Sequence, residues 1–218
     1  MRTIAIGDIH GCFYTFAALL HKVGYNSSKD TLIFLGDYID RGPHSYTVVD
    51  ALIQLQRKHG KDKCICLRGN HEQFAIDNNG CLDFLWSYNG GYQTIDSYER
   101  HDFSIQNHMW WYRSLPIYYQ TDKFIFCHAG LTYPDLLSNT PNEILWNRAW
   151  MEIDSRPREK KVVFGHTPMR EVPFFVKTGD ICIDGGCVFD GNLCAMIIDE
   201  NGNYSFEHVP KSEKDNLS

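Results

Sequence analysis

Short runs of apolar residues recur along this chain, and each ends abruptly at a small or polar residue. Five such runs occupy residues 3–6, 31–35, 64–67, 124–127 and 162–164. Continuous apolar runs of this length are typical of strands that are buried on both faces of a sheet. The pattern therefore predicts five buried strands, each followed by a polar loop.

Two amphipathic stretches separate the first three runs. Residues 13–23 carry apolar side chains at helical spacing and stop at Gly24, and residues 46–59 follow Pro43 and stop at Gly60. Strand–helix–strand alternation predicts a layered α/β domain. The loops beyond the carboxyl ends of strands gather at one edge of such a sheet, so we expect the five polar loops to converge.

The remaining sequence completes one domain, which we place at residues 1–209. Residues 81–120 contain 11 aromatic side chains and are predicted to be mostly helical, flanking the sheet. Strands are predicted at 180–184, 193–199 and 204–209, and Asn201-Gly202 predicts a hairpin turn. The polar tail 210–218 is predicted to be frayed.

Composition excludes several classes of protein. The chain has 218 residues, of which 43% are hydrophobic and 22% charged, as in soluble globular proteins. No apolar run is long enough to span a membrane, and the apolar N-terminal stretch is too short for a signal peptide, which predicts a cytoplasmic protein. The net charge of −6 argues against a nucleic-acid partner.

The five polar loops carry side chains that bind metal ions. Charged groups crowded at one edge would be unfavourable unless cations neutralise them. Mixed imidazole, carboxylate and amide ligands suit manganese, iron or zinc. We predict two divalent ions, manganese first, with iron or zinc as alternatives. The candidate groups are Asp8, His10, Asp37, Asp40, Asn70, His71, His128 and His166.

The number of candidate ligands predicts a dinuclear centre. Asp8 and His10 can hold one ion, the second ion can be held by the set Asn70, His128 and His166, and Asp37 can bridge the two. Two ions in this arrangement support in-line displacement at phosphorus. Together with Arg41 they make a positive pocket in an acidic protein, which suits a dianionic phosphate monoester.

Two further side chains suit catalysis of phosphate transfer. The planar guanidinium of Arg41 can bind two phosphate oxygens. His71 follows the proposed ligand Asn70, and neighbouring side chains diverge. We therefore expect His71 to protonate the leaving group, with Asp40 fixing its tautomer.

Three motifs resemble the signature motifs of the phosphoprotein phosphatase family of calcineurin-like metallophosphoesterases. They are Gly-Asp-Ile-His-Gly at 7–11, Gly-Asp-Tyr-Ile-Asp-Arg-Gly at 36–42 and Gly-Asn-His-Glu at 69–72. The likeness spans residues 1–199, and it is closest to the compact bacterial and bacteriophage lambda-type enzymes. It implies a β-sandwich of mixed sheets flanked by helices, with Arg148 as a second phosphate-binding arginine.

The resemblance also implies an activity. The main prediction is a metal-dependent phosphomonoesterase that hydrolyses phosphoserine and phosphothreonine in proteins by direct attack of a hydroxide bridging two metals. The substrate phosphate would be bound by Arg41, Arg148 and Asn70. We expect a monomer that acts on phosphoproteins or phosphopeptides and has no nucleic-acid or membrane partner. The alternatives are hydrolysis of dinucleoside polyphosphates such as diadenosine tetraphosphate, and a non-catalytic phosphate-binding module.

Overall fold

A computed structural model describes residues 1–148 and 159–217, and two mixed sheets lie in that part of the chain. The strands are β1 (Arg2–Ile6), β2 (Asp30–Phe34), β3 (Cys64–Cys66), β4 (Tyr118–Gln120), β5 (Phe124–Cys127), β6 (Lys161–Phe164), β7 (Phe174–Phe175), β8 (Ile181–Cys182), β9 (Asp184–Gly185), β10 (Asn192–Ile198) and β11 (Tyr204–Pro210). One sheet has the order β11-β10-β1-β2-β3, with β9 also paired to β10, and the other has the order β4-β5-β6-β8-β7.

Helices flank the two sheets. They are α1 (Phe13–Lys22), α2 (Ser45–His59), α3 (Asn70–Asp77), α4 (Phe84–Trp86), α5 (Tyr92–Glu99), α6 (Met109–Ser114) and α7 (Pro141–Trp146). A π-helical turn at Ser87–Gly91 joins α4 to α5, and short 3₁₀ turns occur at Ile105–His108, Leu136–Ser138, Cys187–Phe189 and Glu213–Asp215. The predicted mixed sandwich flanked by helices is confirmed.

Alternation along the strands explains why their sequences are apolar at every position. In β1, Ile4 belongs to a buried cluster that includes Phe16 and Leu19 of α1. The next residue, Ala5, belongs to a second cluster that includes Phe126 of β5 in the opposite sheet. Each central strand thus buries one face against helices and the other inside the sandwich.

Parallel pairing places the predicted loops at one end of the sandwich. β1, β2 and β3 are parallel neighbours in the first sheet, and β5 and β6 are parallel neighbours in the second. The loops after β1, β2 and β3 therefore leave one edge of the first sheet, and the loops after β5 and β6 leave one edge of the second. The two edges lie together, since His128 after β5 is 2.7 Å from Asn70 after β3. The expected convergence of the polar loops follows from this topology.

The C-terminal part contains the predicted hairpin, and one residue of the polar tail is bonded to α1. β10 and β11 pair in antiparallel register on either side of Asn201 and Gly202. The tail that follows contacts α1, because buried Asp215 accepts hydrogen bonds from Tyr14 N at 3.0 Å and Thr15 N at 2.7 Å. This carboxylate satisfies the free amides of a helix N-terminus, which fixes the tail.

The aromatic-rich segment is mostly helical, as predicted, apart from the edge strand β4. Part of it is core, since Trp86, Tyr98, Trp111 and Tyr112 are buried. Other aromatic side chains of the segment remain exposed. Among the described residues, no helix combines the length and apolar character needed to cross a membrane.

Candidate active site and metal centre

Strained backbone marks the loops at the carboxyl ends of the strands. Five residues predicted for the site have positive φ, although none is glycine: His10 (46°), Asp37 (53°), Asp40 (72°), Arg41 (68°) and His166 (67°). Such angles are uncommon for residues with a Cβ atom, and they concentrate where surrounding structure fixes a functional side chain.

Two glycines allow the carboxylates to approach the backbone. A Cβ atom at Gly69 would collide with Asp37 Oδ1, and a Cβ atom at Gly165 would collide with Asp8 Oδ1. Both glycines precede residues of the site, Asn70 and His166. Their lack of a side chain therefore lets the loops of different strands pack closely around the carboxylates.

Asp37 lies between two groups of candidate ligands. Its Oδ2 is 3.3 Å from His10 Nε2 and 3.8 Å from His71 Nε2, and its Oδ1 is 3.4 Å from His128 Nε2. His10, Asp37 and His71 form one compact set of potential ligands, and Asp37, His128 and His166 form another. Asp37 is common to both sets, which is the position that a bridging ligand would need.

Two histidines are oriented by backbone carbonyls as metal-binding histidines usually are. His10 Nδ1 lies 2.7 Å from Ile39 O, and His128 Nδ1 lies 3.0 Å from Leu35 O. A carbonyl oxygen only accepts, so Nδ1 carries the proton in each ring. When such a ring is neutral, the lone pair of Nε2 faces the site, and this is the tautomer that a metal ion requires.

Asn70, His128 and His166 converge on one small volume. Asn70 Oδ1 lies 2.7 Å from His128 Nε2 and 2.9 Å from His166 Nδ1, and the two ring nitrogens are 3.2 Å apart. All three residues are buried. The structure therefore brings the predicted second set of ligands together.

Asp8 is buried beside this set with an unsatisfied oxygen. Its Oδ2 accepts a hydrogen bond from His166 N at 3.0 Å, whereas Oδ1 has no hydrogen-bond partner among the described residues. Burial, together with the negative charge of Asp184, raises the pKa of Asp8 well above its usual value. A cation at Oδ1 would offset both effects.

Burial and neighbouring charges shift the pKa values of the other buried candidate ligands in different directions. Burial alone would raise the pKa of Asp37, but the charges of His128 and His71 hold it well below its usual value. Burial alone would lower the pKa of His128, but Asp37 raises it to about 9. Burial and the charge of His128 lower the pKa of His166 to about 3.

These observations fit divalent metal ions. The donors are imidazole nitrogen, carboxylate oxygen and amide oxygen, which suits manganese, iron or zinc. Asp8 Oδ1 is a buried carboxylate oxygen with no hydrogen-bond partner among the described residues, so it is available to a cation. The Nε2 atoms of His10 and His128 face the site, as metal ligands would. Residues fit to hold the ions are Asp8, His10, Asp37, Asn70, His128 and His166.

His71 and Asp40 form a buried pair, as predicted. His71 Nδ1 lies 2.6 Å from Asp40 Oδ2, so the carboxylate accepts and fixes the proton on Nδ1. Asp40 also accepts from Trp86 Nε1 at 2.8 Å and from Thr94 Oγ1 at 2.6 Å. Trp86 and Thr94 were not predicted from the sequence; they hold the carboxylate that orients His71.

Glu72 is a further residue whose role the sequence did not indicate, although it lies within the motif 69–72. It is fully buried, and its carboxylate accepts from the backbone N–H groups of Asp37 at 2.9 Å, Tyr38 at 2.8 Å and Gly69 at 2.9 Å. Burial and the charge of Asp37 raise its pKa to about 7. Glu72 ties the second loop to the third and so positions Asp37.

Arg41 and Arg148 line one groove of about 240 Å³, together with His10 and His166. Arg41 Nη1 is 2.5 Å from His10 Nε2, and Arg148 Nε is 3.4 Å from His166 Nε2. Two guanidinium groups beside buried imidazoles and carboxylates form a site suited to phosphate oxygens. The structure thus brings every predicted site residue to one edge.

Comparison with known proteins identifies the family. The calcineurin-like phosphoesterase family matches residues 1–206. Two relatives named as asymmetrical bis(5'-nucleosyl)-tetraphosphatases, from Anoxybacillus flavithermus and Bacillus cereus, are each 30% identical to this chain. The first alignment covers 88% of this chain and 88% of the relative, and the second covers 90% of each. A serine/threonine phosphatase structure from Saccharomyces cerevisiae, similar to human phosphatase PP5, has a TM-score of 0.73 and 19% identity, covering 98% of this chain and 81% of that one; this likeness shows the fold alone. The chain belongs to the calcineurin-like phosphoesterase family.

Proposed function

We propose that this protein hydrolyses dinucleoside tetraphosphates asymmetrically, releasing a nucleoside triphosphate and a nucleoside monophosphate. The observation that carries the proposal is the 30% identity, over about nine-tenths of both chains, to relatives named as asymmetrical bis(5'-nucleosyl)-tetraphosphatases. This supports the alternative kept in the sequence analysis over its main prediction, hydrolysis of phosphoserine and phosphothreonine.

The two arginines would bind the phosphoryl group that reacts. Arg41 and Arg148 line the same groove next to His10 and His166, so one phosphoryl group can contact both guanidinium groups. Their positive charge offsets the several negative charges of a tetraphosphate. They would also hold the reacting phosphorus in a fixed orientation, which lowers the entropic part of the barrier.

His71 would supply the proton to the oxygen that leaves. Asp40 keeps the proton of the neutral ring on Nδ1, so His71 acts as an acid only when its Nε2 is also protonated. During hydrolysis, a water oxygen bonds to phosphorus and releases one proton to solvent, and the bridging P–O bond breaks. The Nε2 proton then goes to the departing phosphate oxygen, and imidazole is left neutral.

Proteins of this family use a dinuclear metal centre, and in this chain its ligands would be Asp8, His10, Asp37, Asn70, His128 and His166. When bound, divalent ions supply Lewis acidity and lower the pKa of water. The remaining work falls to the side chains: the arginines bind substrate, Asp40 orients His71, and Glu72 fixes the loop of Asp37.

The experiment is a substrate comparison on chelated protein restored with manganese. Diadenosine tetraphosphate and a phosphothreonine peptide are incubated separately, and nucleotides and phosphate are quantified. The proposal predicts equal amounts of ATP and AMP, with the peptide turned over far more slowly. Release of phosphate from the peptide with an intact dinucleotide would contradict it and restore the protein-phosphatase prediction; ADP as the nucleotide product would exclude asymmetrical cleavage.

A further inference from the structure

An exposed aromatic ring lies beside the phosphate-binding arginines. Phe189 is 59% exposed, and the guanidinium carbon of Arg41 lies 5.2 Å from the centre of its ring. Phe189 lines the same groove as Arg41, Arg148 and His10. A phosphate held by Arg41 would therefore have an open aromatic surface next to it.

The loop that carries Phe189 is fixed at several points. Cys187–Phe189 forms a 3₁₀ turn, in which Phe189 N donates to Gly186 O at 2.9 Å, and Gly191 N donates to the same oxygen at 3.0 Å. Lys211 Nζ donates to Val188 O at 3.3 Å. The ring is thus presented by a well-bonded turn, so little conformational entropy would be lost when a ligand covers it.

A large apolar side chain exposed on a fixed turn has no role in the core. Cys187, at the start of the turn, is buried and already anchors the loop in the helical layer. Phe189, in contrast, is exposed and lines the groove of the arginines. An aromatic ring next to a phosphate-binding guanidinium is the arrangement in which a nucleotide can bind, its phosphate on the cation and its base on the ring.

We propose that Phe189 is a specificity-determining residue on which a nucleobase of the dinucleotide stacks. This inference rests on the proposed function, because it requires a substrate that carries a base a few bonds from the phosphate held by Arg41. Stacking uses the π-face that every base has, and it therefore tolerates different bases. We accordingly expect diguanosine and diadenosine tetraphosphate to have similar KM values.

The test compares inhibitors that differ only in the base. Inhibition of diadenosine tetraphosphate hydrolysis is measured with AMP and with ribose 5-phosphate, for the manganese-restored wild type, F189A and F189W. If one base stacks on Phe189, F189A should raise KM for the dinucleotide about tenfold. The inhibition constant of AMP divided by that of ribose 5-phosphate should rise by a similar factor. F189W should restore both quantities.

A matched control is F175A. Phe175 is a phenylalanine of similar exposure, 53%, but it lies on β7 and packs against Phe206. F175A should leave KM and the ratio of inhibition constants as in the wild type. A melting temperature for each variant confirms that the fold is intact.

The two proposals fail in different ways. If the wild type does not hydrolyse the dinucleotide, the proposed function is wrong and the base-stacking role falls with it. If the wild type hydrolyses it but F189A keeps both the KM and the ratio of inhibition constants, the function stands and the role of Phe189 is overturned. A change in F189A that F175A reproduces would also overturn that role.

Discussion

Asp37 lies within hydrogen-bonding or ion-pair distance of histidines from several different loops or helices. Its carboxylate faces His10, His71 and His128, and its own position is fixed by Glu72 through the backbone N–H. A single substitution at Asp37 should therefore disturb both sets of candidate ligands. Substitution of a residue that belongs to only one set should disturb that set alone.

The substitution D37N should remove bound metal together with activity. The amide keeps the shape of the side chain but loses the negative charge that balances the cations and the neighbouring imidazoles. The metal content of purified protein, measured by elemental analysis, should fall to near zero. Two tightly bound ions in D37N would contradict the bridging position.

The substitution H71N should lower kcat but keep the metal. General acid catalysis contributes about 10²–10⁴-fold, and we expect the lower end, because a departing phosphate oxygen needs a proton less than an alkoxide does. Metal content serves as the control and should match that of the wild type. Unchanged turnover of diadenosine tetraphosphate would remove His71 from the reaction.

The individual residues of the site were predictable where they follow a strand. Asp8, Asp37, Asn70, His128 and His166 lie just beyond apolar runs, so their convergence follows from topology. The partners of Asp40 were not predictable. Trp86 and Thr94 are 46 and 54 positions away, inside an aromatic-rich segment where nothing in the pattern distinguishes them from core residues. The phosphate-binding role expected of Arg148 came from the family resemblance alone.

Among the larger elements, the turn between α4 and α5 supports the arginine loop. Gly90 has φ of 95°, and its carbonyl accepts from Arg41 N at 3.1 Å. A Cβ atom there would lie 2.6 Å from Arg41 N. The helical segment that supplies Trp86 and Thr94 to Asp40 thus also positions Arg41.

The substitution G90A should therefore impair substrate binding as well as stability. The left-handed backbone alone costs about 1 kcal/mol with alanine, and displacement of Arg41 should lower kcat/KM by about tenfold. G24A is the matched control, since Gly24 has φ of 60° and a Cβ atom there would meet no described atom within 4 Å. Equal kcat/KM in G90A and G24A would show that the turn does not position Arg41.

An ion pair joins the start of β1 to the start of β2. Arg2 Nε and Nη2 donate to Asp30 at 3.0 and 2.7 Å, and Asn26 N donates to the same carboxylate at 2.9 Å. Burial alone would raise the pKa of Asp30, but its hydrogen bond with Arg2 lowers it. The folded state therefore binds this proton less tightly than the unfolded state does.

The pH dependence of stability should reveal this pair. The contribution of Asp30 to stability is present above the pKa of about 3.9 that an aspartate has in the unfolded state. It is lost as the pH falls through the lower pKa of Asp30 in the folded state. D30N should lower the free energy of unfolding by about 1 kcal/mol at pH 7, a small effect because Arg2 is partly exposed. The difference in unfolding free energy between D30N and the wild type should disappear below pH 4. Urea melts across this range measure it, with D96N as the control, since Asp96 forms an exposed pair with Arg100. A gap that persists below pH 4 would contradict the assignment.

Element boundaries were predicted well where the local signal was strong. The hairpin around Asn201-Gly202 and the helices after Cys12 and Pro43 lie where the pattern placed them. The tail was predicted from its polar composition, which cannot reveal a tertiary contact. Asp215 accepts hydrogen bonds from the first turn of α1, although it lies 200 positions after Thr15 in the sequence.

At the scale of the whole molecule, the sandwich explains how distant motifs form one site. The first sheet supplies the loops of Asp8, Asp37 and Asn70, and the second supplies those of His128 and His166. The apolar cluster between the two sheets holds the loops of one sheet next to the loops of the other. The sequence predicted a layered domain from its apolar runs, but the opposed mixed sheets were implied only by the resemblance.

The most direct measurement of the dinuclear site is a manganese titration of chelated protein. Bound metal per chain and hydrolysis of p-nitrophenyl phosphate are measured in the same samples, so the result does not depend on the natural substrate. The two sets of ligands around Asp37 predict no hydrolysis without metal and full hydrolysis when two ions are bound per chain. Full hydrolysis by metal-free protein, or saturation at one ion, would contradict the dinuclear centre.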